Sequence, residues 1–143
     1  MIRRLMFVAL SVMGTLSFAA IGYAVDLQEL KKEVADGKAV LLDVREEVEW
    51  KKAHLSQADL VPLSTIATDK HAKKAIEKYT KDPEMKIYTY CRSGRRSVLA
   101  ADMFKRVDAK VVAITQSYKD LVEAGFKETK DTDPKLDPPI QMN

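Results

Sequence analysis

The stretch Lys86-Ile87-Tyr88-Thr89-Tyr90-Cys91-Arg92-Ser93-Gly94-Arg95-Arg96-Ser97 decides the fold. Its first five residues alternate and are rich in β-branched and aromatic types, which predicts a strand over Lys86–Tyr90. From about Gly94 to Lys105 a helix follows, with Val98, Leu99, Ala101, Met103 and Phe104 as its apolar residues. The only cysteine of the chain therefore ends a strand and opens a helix. Strands that feed helices build parallel sheets, and such sheets take their ligands beyond the C-terminal strand ends.

The same alternation extends in both directions. Upstream, Asp26 can cap a helix from Leu27 to about Ala35, closed by Asp36-Gly37. Ala39 to Val44 is a short apolar strand, buried on both faces. Glu46 to Lys52 is a short polar helix carrying Trp50, read as a core residue. Leu60-Val61-Pro62 is a second short strand stopped by its proline. Thr68 to Tyr79 is a lysine-rich helix, with Ala72, Ala75, Ile76 and Tyr79 inward and Lys70, Lys73, Lys74 and Lys78 on a solvated face. Lys81-Asp82-Pro83 breaks the chain. Downstream come a strand at Lys110–Thr115, a helix at Tyr118–Ala124 closed by Gly125, and a tail from Glu128 to Asn143, read as an extended or partly disordered arm. The expectation is an α/β fold, a parallel sheet of about four to five strands with helices on both faces.

Residues 1–24 stand apart. Met1-Ile2-Arg3-Arg4 is basic, Leu5 to Ala20 carries no charge, and small residues end at Gly22-Tyr23-Ala24. This is the pattern of a secretory signal peptide cut after Ala24, which predicts a periplasmic or otherwise exported protein. The alternative is an uncleaved anchor, the one route by which this chain would meet a membrane. The domain is then residues 25–127, followed by the tail at 128–143. Of the 24 basic residues, Arg3 and Arg4 leave with the leader, so 22 remain against 21 acidic ones. That near-balance gives no reason to expect nucleic acid. One cysteine and two histidines in 143 residues exclude an internal disulfide and a cysteine-rich metal site.

The chemistry concentrates in Cys91 and the six residues of the loop and first helical turn that follow it. A loop that turns several backbone N–H groups inward at a helix N-terminus cradles anions and favours thiolate over thiol. Three arginines surround it, and Gly94 allows a tight turn or positive φ. A lone cysteine is often an inert core residue. Its companions Arg92, Ser93, Arg95, Arg96 and Ser97 are out of place in a core, so Cys91 is read as an exposed nucleophile for an anionic substrate.

At this point the chain resembles a single-domain rhodanese, a sulfurtransferase. The family loop Cys-Arg-x-Gly-x-Arg-Ser is matched by Cys91, Arg92, Gly94, Arg96 and Ser97. A second segment matches too: Leu41-Leu42-Asp43-Val44-Arg45-Glu46, Trp50, His54-Leu55, Ala58 and Val61-Pro62-Leu63. The likeness covers roughly Asp26 to Phe126. Departures are Ala53 before His54, Ser56-Gln57 after it, Gln116-Ser117 for a Gly-Gly pair, and Leu121 for an aromatic. They touch the pocket rim more than the reacting loop.

The resemblance implies a two-step reaction through a covalent Cys91 persulfide, with no other cofactor and no metal. Cys91 takes a sulfane sulfur from a small anionic donor such as thiosulfate, then yields it to cyanide or a thiol, a thioredoxin-like protein being one candidate acceptor. Arg92, Ser93, Gly94, Arg95, Arg96 and Ser97 would bind the donor. Arg92 and Arg95 face outward to attract it, while Arg96 turns back to fix the loop, since a cation is unfavourable at a helix N-terminus. Ser97 either bonds the sulfur or caps the helix. Asp43 and Arg45 end a neighbouring strand and support the pocket, as an ion pair or directly. His54 reads as a hydrogen-bonded structural histidine, and His71 as solvent-exposed. A cysteine phosphatase or arsenate reductase needs arginine six residues after the cysteine, where Ser97 stands. Two further readings are a persulfide carrier and a redox-sensitive binding module, both without small-molecule turnover.

Overall fold

The computed structural model describes residues 24–130. The leader read at residues 1–24 lies almost wholly outside them, as do residues 131–143 of the tail. Helix α1 (Leu27–Ala35) is followed by β1 (Ala39–Asp43), α2 (Glu47–Lys52), β2 (His54–Leu55) and β3 (Ala58–Leu60). A 3-10 turn at Leu63–Ile66 leads to α3 (Asp69–Ile76), β4 (Lys86–Tyr90) and α4 (Arg95–Lys105). The order closes with β5 (Val111–Ala113), α5 (Tyr118–Glu123) and β6 (Glu128–Thr129).

Four strands form a parallel sheet in the order β3-β1-β4-β5. Side-chain alternation sorts the apolar residues onto its two faces. Leu42 and Ile87 point to one face, where Ala72, Ala75 and Ile76 of α3 and Ala100 and Phe104 of α4 cover them. Leu41 and Tyr90 point to the other, beneath Leu30 of α1, Trp50 of α2 and Leu121 of α5. The expected α/β architecture with helices on both faces is thus the observed one.

Helix ends follow local chemistry. The Asp26 carboxylate accepts from the N–H groups of Gln28 and Glu29, and Ser117 and Asp120 form a reciprocal capping box on α5. Thr68, expected inside α3, is its cap, accepting from the His71 N–H. Tyr79 lies beyond the helix, is buried, and donates to Asp59 at 2.5 Å.

Several expectations need correction. The strand read at Leu60–Pro62 sits at Ala58–Leu60, because Pro62 has no N–H for a ladder. The strand read at Lys110–Thr115 keeps only Val111–Ala113. The sequence reading had no β2; this strand pairs antiparallel with β6, so the tail begins in a strand at Glu128. His71 is half-buried rather than exposed. Of the apolar residues read in α4, Val98 and Leu99 are 41% and 45% exposed. The sheet takes only the stripe of Ser97, Ala100 and Phe104.

Candidate active site

All four parallel strands end at one edge, and the residues singled out from sequence gather there. Asp43 ends β1 opposite Tyr90, the last residue of β4, so Cys91 follows directly beside the Asp43–Arg45 segment. The chain then turns through Arg92 and Ser93 to Gly94, which has φ +87° and caps α4 without a side chain. A Cβ at Gly94 would press on the Thr115 backbone, at 2.8 Å from its carbonyl carbon and 2.9 Å from its Cα. The Tyr118 N–H donates to the Arg92 carbonyl at 3.0 Å. Thr115 to Tyr118 therefore form one wall of the loop, and this wall holds the departures Gln116 and Ser117.

Cys91 is fully buried, not exposed as its polar companions suggested. Arg92 and Ser93, which follow it, are exposed, while Cys91 itself lies in the core cluster that holds Leu42, Val44 and Ala100. The Gly94 N–H donates to Sγ at 3.1 Å. The first intrahelical bond of α4 runs from Val98 to the Gly94 carbonyl. The N–H groups of Arg95, Arg96 and Ser97 precede it and point toward the loop, leaving the positive end of the helix over the sulfur.

The arginines divide as expected. Arg92 and Arg95 are exposed. Arg96 turns back and grips Glu49 of α2 with two nitrogens, at 2.6 and 2.8 Å. The Arg96 hydrogen bond holds the Glu49 carboxyl down at about 2 against burial, which opposes it, and raises Arg96 in return. Glu49 also accepts from the Glu46 N–H at 3.2 Å, so one carboxylate caps α2 and anchors the start of α4.

Ser97 does neither of the two things expected of it. Its hydroxyl donates to the Thr89 carbonyl at 2.7 Å and lies 3.0 Å from the Thr89 hydroxyl. As the third residue of α4 it points back toward the helix N-terminus and down onto β4, away from the cap. Its role is to dock α4 on the sheet. Ser93 is exposed at the loop tip.

Asp43 and Arg45 form a buried bidentate pair, Nε to Oδ1 at 2.9 Å and Nη2 to Oδ2 at 2.6 Å. The Tyr90 hydroxyl donates to the same carboxylate at 2.8 Å, and Arg45 also reaches the Ala53 carbonyl at 2.9 Å. The guanidinium lies 4.3 Å from the Tyr118 ring centroid. Burial works against the Arg45 charge, and the Asp43 carboxylate more than restores it. Burial first, then Asp43, pushes the Tyr90 hydroxyl far above its ordinary range. The network ties β1, β4, the Ala53 turn and the loop wall together, and none of these hydrogen bonds is made to Cys91. His54 belongs to the same support: buried, stacked on Trp50 at 3.6 Å, with Nδ1 2.9 Å from the Trp50 carbonyl. Glu49, Tyr90, Thr115 and Tyr118 were not picked out as site residues from sequence. Each acts through a partner 20 or more residues away, which spacing does not reveal.

Comparison with known proteins agrees with this geometry. The profile of the rhodanese-like domain matches residues 26–124, and the chain belongs to that family. It is 34% identical over 98 residues to the "Putative sulfur carrier protein YrkF" of Bacillus subtilis (strain 168), covering 67% of this chain and 49% of that one. It is 31% identical over 87 residues to the "Putative thiosulfate sulfurtransferase, mitochondrial" of Schizosaccharomyces pombe, covering 56% of this chain and 60% of that one. The chain thus spans about half to three fifths of the length of these curated relatives. Among solved structures, protein hp1203 of Helicobacter pylori superposes with a TM-score of 0.58 at 24% identity, over 80% of this chain and 96% of that one, a likeness of fold.

Proposed function

We propose that this protein is a sulfurtransferase that carries a sulfane sulfur on Cys91. The observation that carries the reading is the Gly94 N–H on the Cys91 Sγ, inside a loop closed by the N-terminus of α4. The Cys91 thiolate attacks the outer sulfur of a donor such as thiosulfate. The donor's S–S bond breaks, sulfite leaves with the electron pair, and Cys91 becomes a persulfide. Backbone N–H groups and the helix end hold its negative charge. Arg92 and Arg95, exposed at the rim, draw in the anionic donor. An acceptor, cyanide or a thiol, then attacks the outer sulfur and restores the Cys91 thiolate, which gives ping-pong kinetics. No base is required, in keeping with a histidine, His54, already engaged with the Trp50 carbonyl.

A second reading, a persulfide carrier that passes sulfur to a protein, is favoured by the burial of Cys91 and by the name of the Bacillus subtilis relative. The leader pattern at residues 1–24 supports an exported setting for either, which N-terminal sequencing of the secreted chain would test. A loop with Arg96 five residues after Cys91 and Ser97 six after it speaks against phosphoryl chemistry.

The experiment is intact mass after thiosulfate, wild type against Cys91→Ser, followed by turnover with cyanide. One added sulfur on the wild type alone supports the proposal, and turnover separates enzyme from carrier. No added sulfur, or turnover of a phosphate ester, refutes it.

A further inference from the structure

We propose that Arg95, Val98 and Leu99 of α4, with Arg92 on the loop and Val48 on α2, form a docking surface. Its partner is a protein acceptor that presents its thiol from an apolar patch edged by carboxylates. The proposal rests on the reading of Cys91 as a sulfur carrier and names the chemistry of what receives the sulfur.

Helix α4 carries more apolar side chain than the sheet takes. Ala100 and Phe104 are fully buried, while Val98 and Leu99 remain exposed. Arg95, Val98 and Leu99 stand at i, i+3 and i+4, so they share one outward face that begins at the loop. Val48, the most exposed large hydrophobic residue described, directly precedes Glu49, whose carboxylate is bound to Arg96. Of the four large hydrophobic residues exposed among the described residues, Val98 and Leu99 share the α4 face that starts at the loop, Val48 is next to the residue that anchors Arg96, and Val112 is on β5. Apolar side chains grouped beside a reactive group mark an interaction site, whereas scattered ones do not.

Charge selects the partner. Among the described residues there are five arginines. Arg45, Arg96 and Arg106 hold Asp43, Glu49 and Asp69. Arg92 and Arg95 hold no carboxylate. The nearby acids are engaged: Glu46 accepts from Ser64, Glu47 pairs with Lys51, and Glu49 pairs with Arg96. Asp102, four residues after Val98 and three after Leu99, closes the same face with one negative charge at the end away from the loop. The face is therefore apolar with two uncommitted positive charges at the loop, complementary to an acidic rim around an apolar centre.

In the transfer step the acceptor thiolate attacks the outer sulfur of the Cys91 persulfide. A new S–S bond forms on the acceptor, the bond to Cys91 Sγ breaks, and its electron pair stays on Sγ. The proton that the acceptor thiol gives up passes to the outer sulfur, whose negative charge ends on Sγ, and because one S–S bond replaces another neither oxidant nor reductant is consumed.

The test loads full-length protein with thiosulfate, confirms the added sulfur by mass, and follows its single-turnover loss to two peptides. One is acetyl-Glu-Leu-Cys-Leu-Glu-amide and the other has Lys for both Glu, each rate being divided by that peptide's rate with a small disulfide. The acidic peptide is expected to react about tenfold faster at low salt, with the gap closing as salt rises. The double variant Val98→Ser, Leu99→Ser should slow the acidic peptide about fivefold or more and leave transfer to cyanide unchanged. Equal rates for the two peptides, or an unchanged peptide rate in the double variant, overturn the docking proposal alone. Failure to load sulfur on Cys91 overturns the carrier reading and this proposal with it.

Discussion

Gly94 lies against the backbone of Thr115 so closely that no side chain fits between them. The same residue donates its N–H to the Cys91 sulfur and turns with φ +87°. Gly94→Ala therefore meets two penalties, the left-handed backbone and the Thr115 wall, and both are relieved by moving the N–H off the sulfur. Persulfide formation with thiosulfate should fall on the order of 100-fold, the cost of losing one donor at a developing charge. Thermal unfolding should shift far less. A variant that forms persulfide at the wild-type rate would show that this N–H does not matter.

Glu49 gives a stability signature in acid. Its folded pKa of about 2 lies below the ordinary value of 4.5, so the stabilisation is complete above about pH 4.5 and is lost as pH falls toward 2. Glu49→Gln cannot titrate. In denaturant unfolding, wild type should exceed Glu49→Gln by about 1 kcal/mol at pH 7, as fits a partly screened bidentate pair. The gap should close near pH 2. A gap that is constant across this range would assign the loss to packing.

The Asp43–Arg45 pair should behave as a buried unit. Asp43→Ala strands the guanidinium beneath Tyr118 and leaves the Tyr90 hydroxyl short of its acceptor, which should cost about 3–5 kcal/mol. Replacing both charges, with Asp43→Leu and Arg45→Met, should recover most of that loss. The recovered protein should still load sulfur on Cys91 if the pair only supports the wall. Loss of loading in a stable double variant would give the pair a direct role.

What was legible in the sequence follows from locality. The strand–Cys91–helix unit is contiguous, and alternation plus turn chemistry suffice to place it. The Asp43–Arg45 pair, two positions apart, was also within reach. The strands β2 and β6 are two residues each and exist only because Leu55 and Glu128 meet across the fold. The burial of Cys91 was hidden because its polar neighbours point outward while its own side chain points in. The exposure of Val98 and Leu99 could not be read from the sequence, because a set of apolar residues in a helix does not say how wide a face the sheet can cover.

Ser97 separates a positioning role from contact with the sulfur. Its hydroxyl is spent on the carbonyl and hydroxyl of Thr89. Ser97→Ala should lower unfolding stability by about 1 kcal/mol, the Thr89 carbonyl keeping only the Ile114 N–H at 2.9 Å. The rate of sulfur loading on Cys91 should change by less than about threefold, well under 1.4 kcal/mol of barrier. A large loss of loading in a stably folded Ser97→Ala protein would restore Ser97 to the reacting site.

Arg92 and Arg95 are the cations free to act at a distance, and kinetics can isolate that action. The donor is an anion, the sulfur is buried beneath the loop, and neither guanidinium pairs with a carboxylate among the described residues. Their field should raise the encounter rate without altering the S–S exchange itself. Arg92→Ala with Arg95→Ala should therefore raise KM for thiosulfate, with kcat/KM down about tenfold at low salt and kcat nearly kept. Because exposed charges are screened over about 10 Å at 0.1 M salt, wild type should lose its advantage as ionic strength rises and the two proteins should converge. If kcat falls instead and salt leaves the ratio untouched, the arginines act on the reacting sulfur itself, and the attraction must come from the helix end alone.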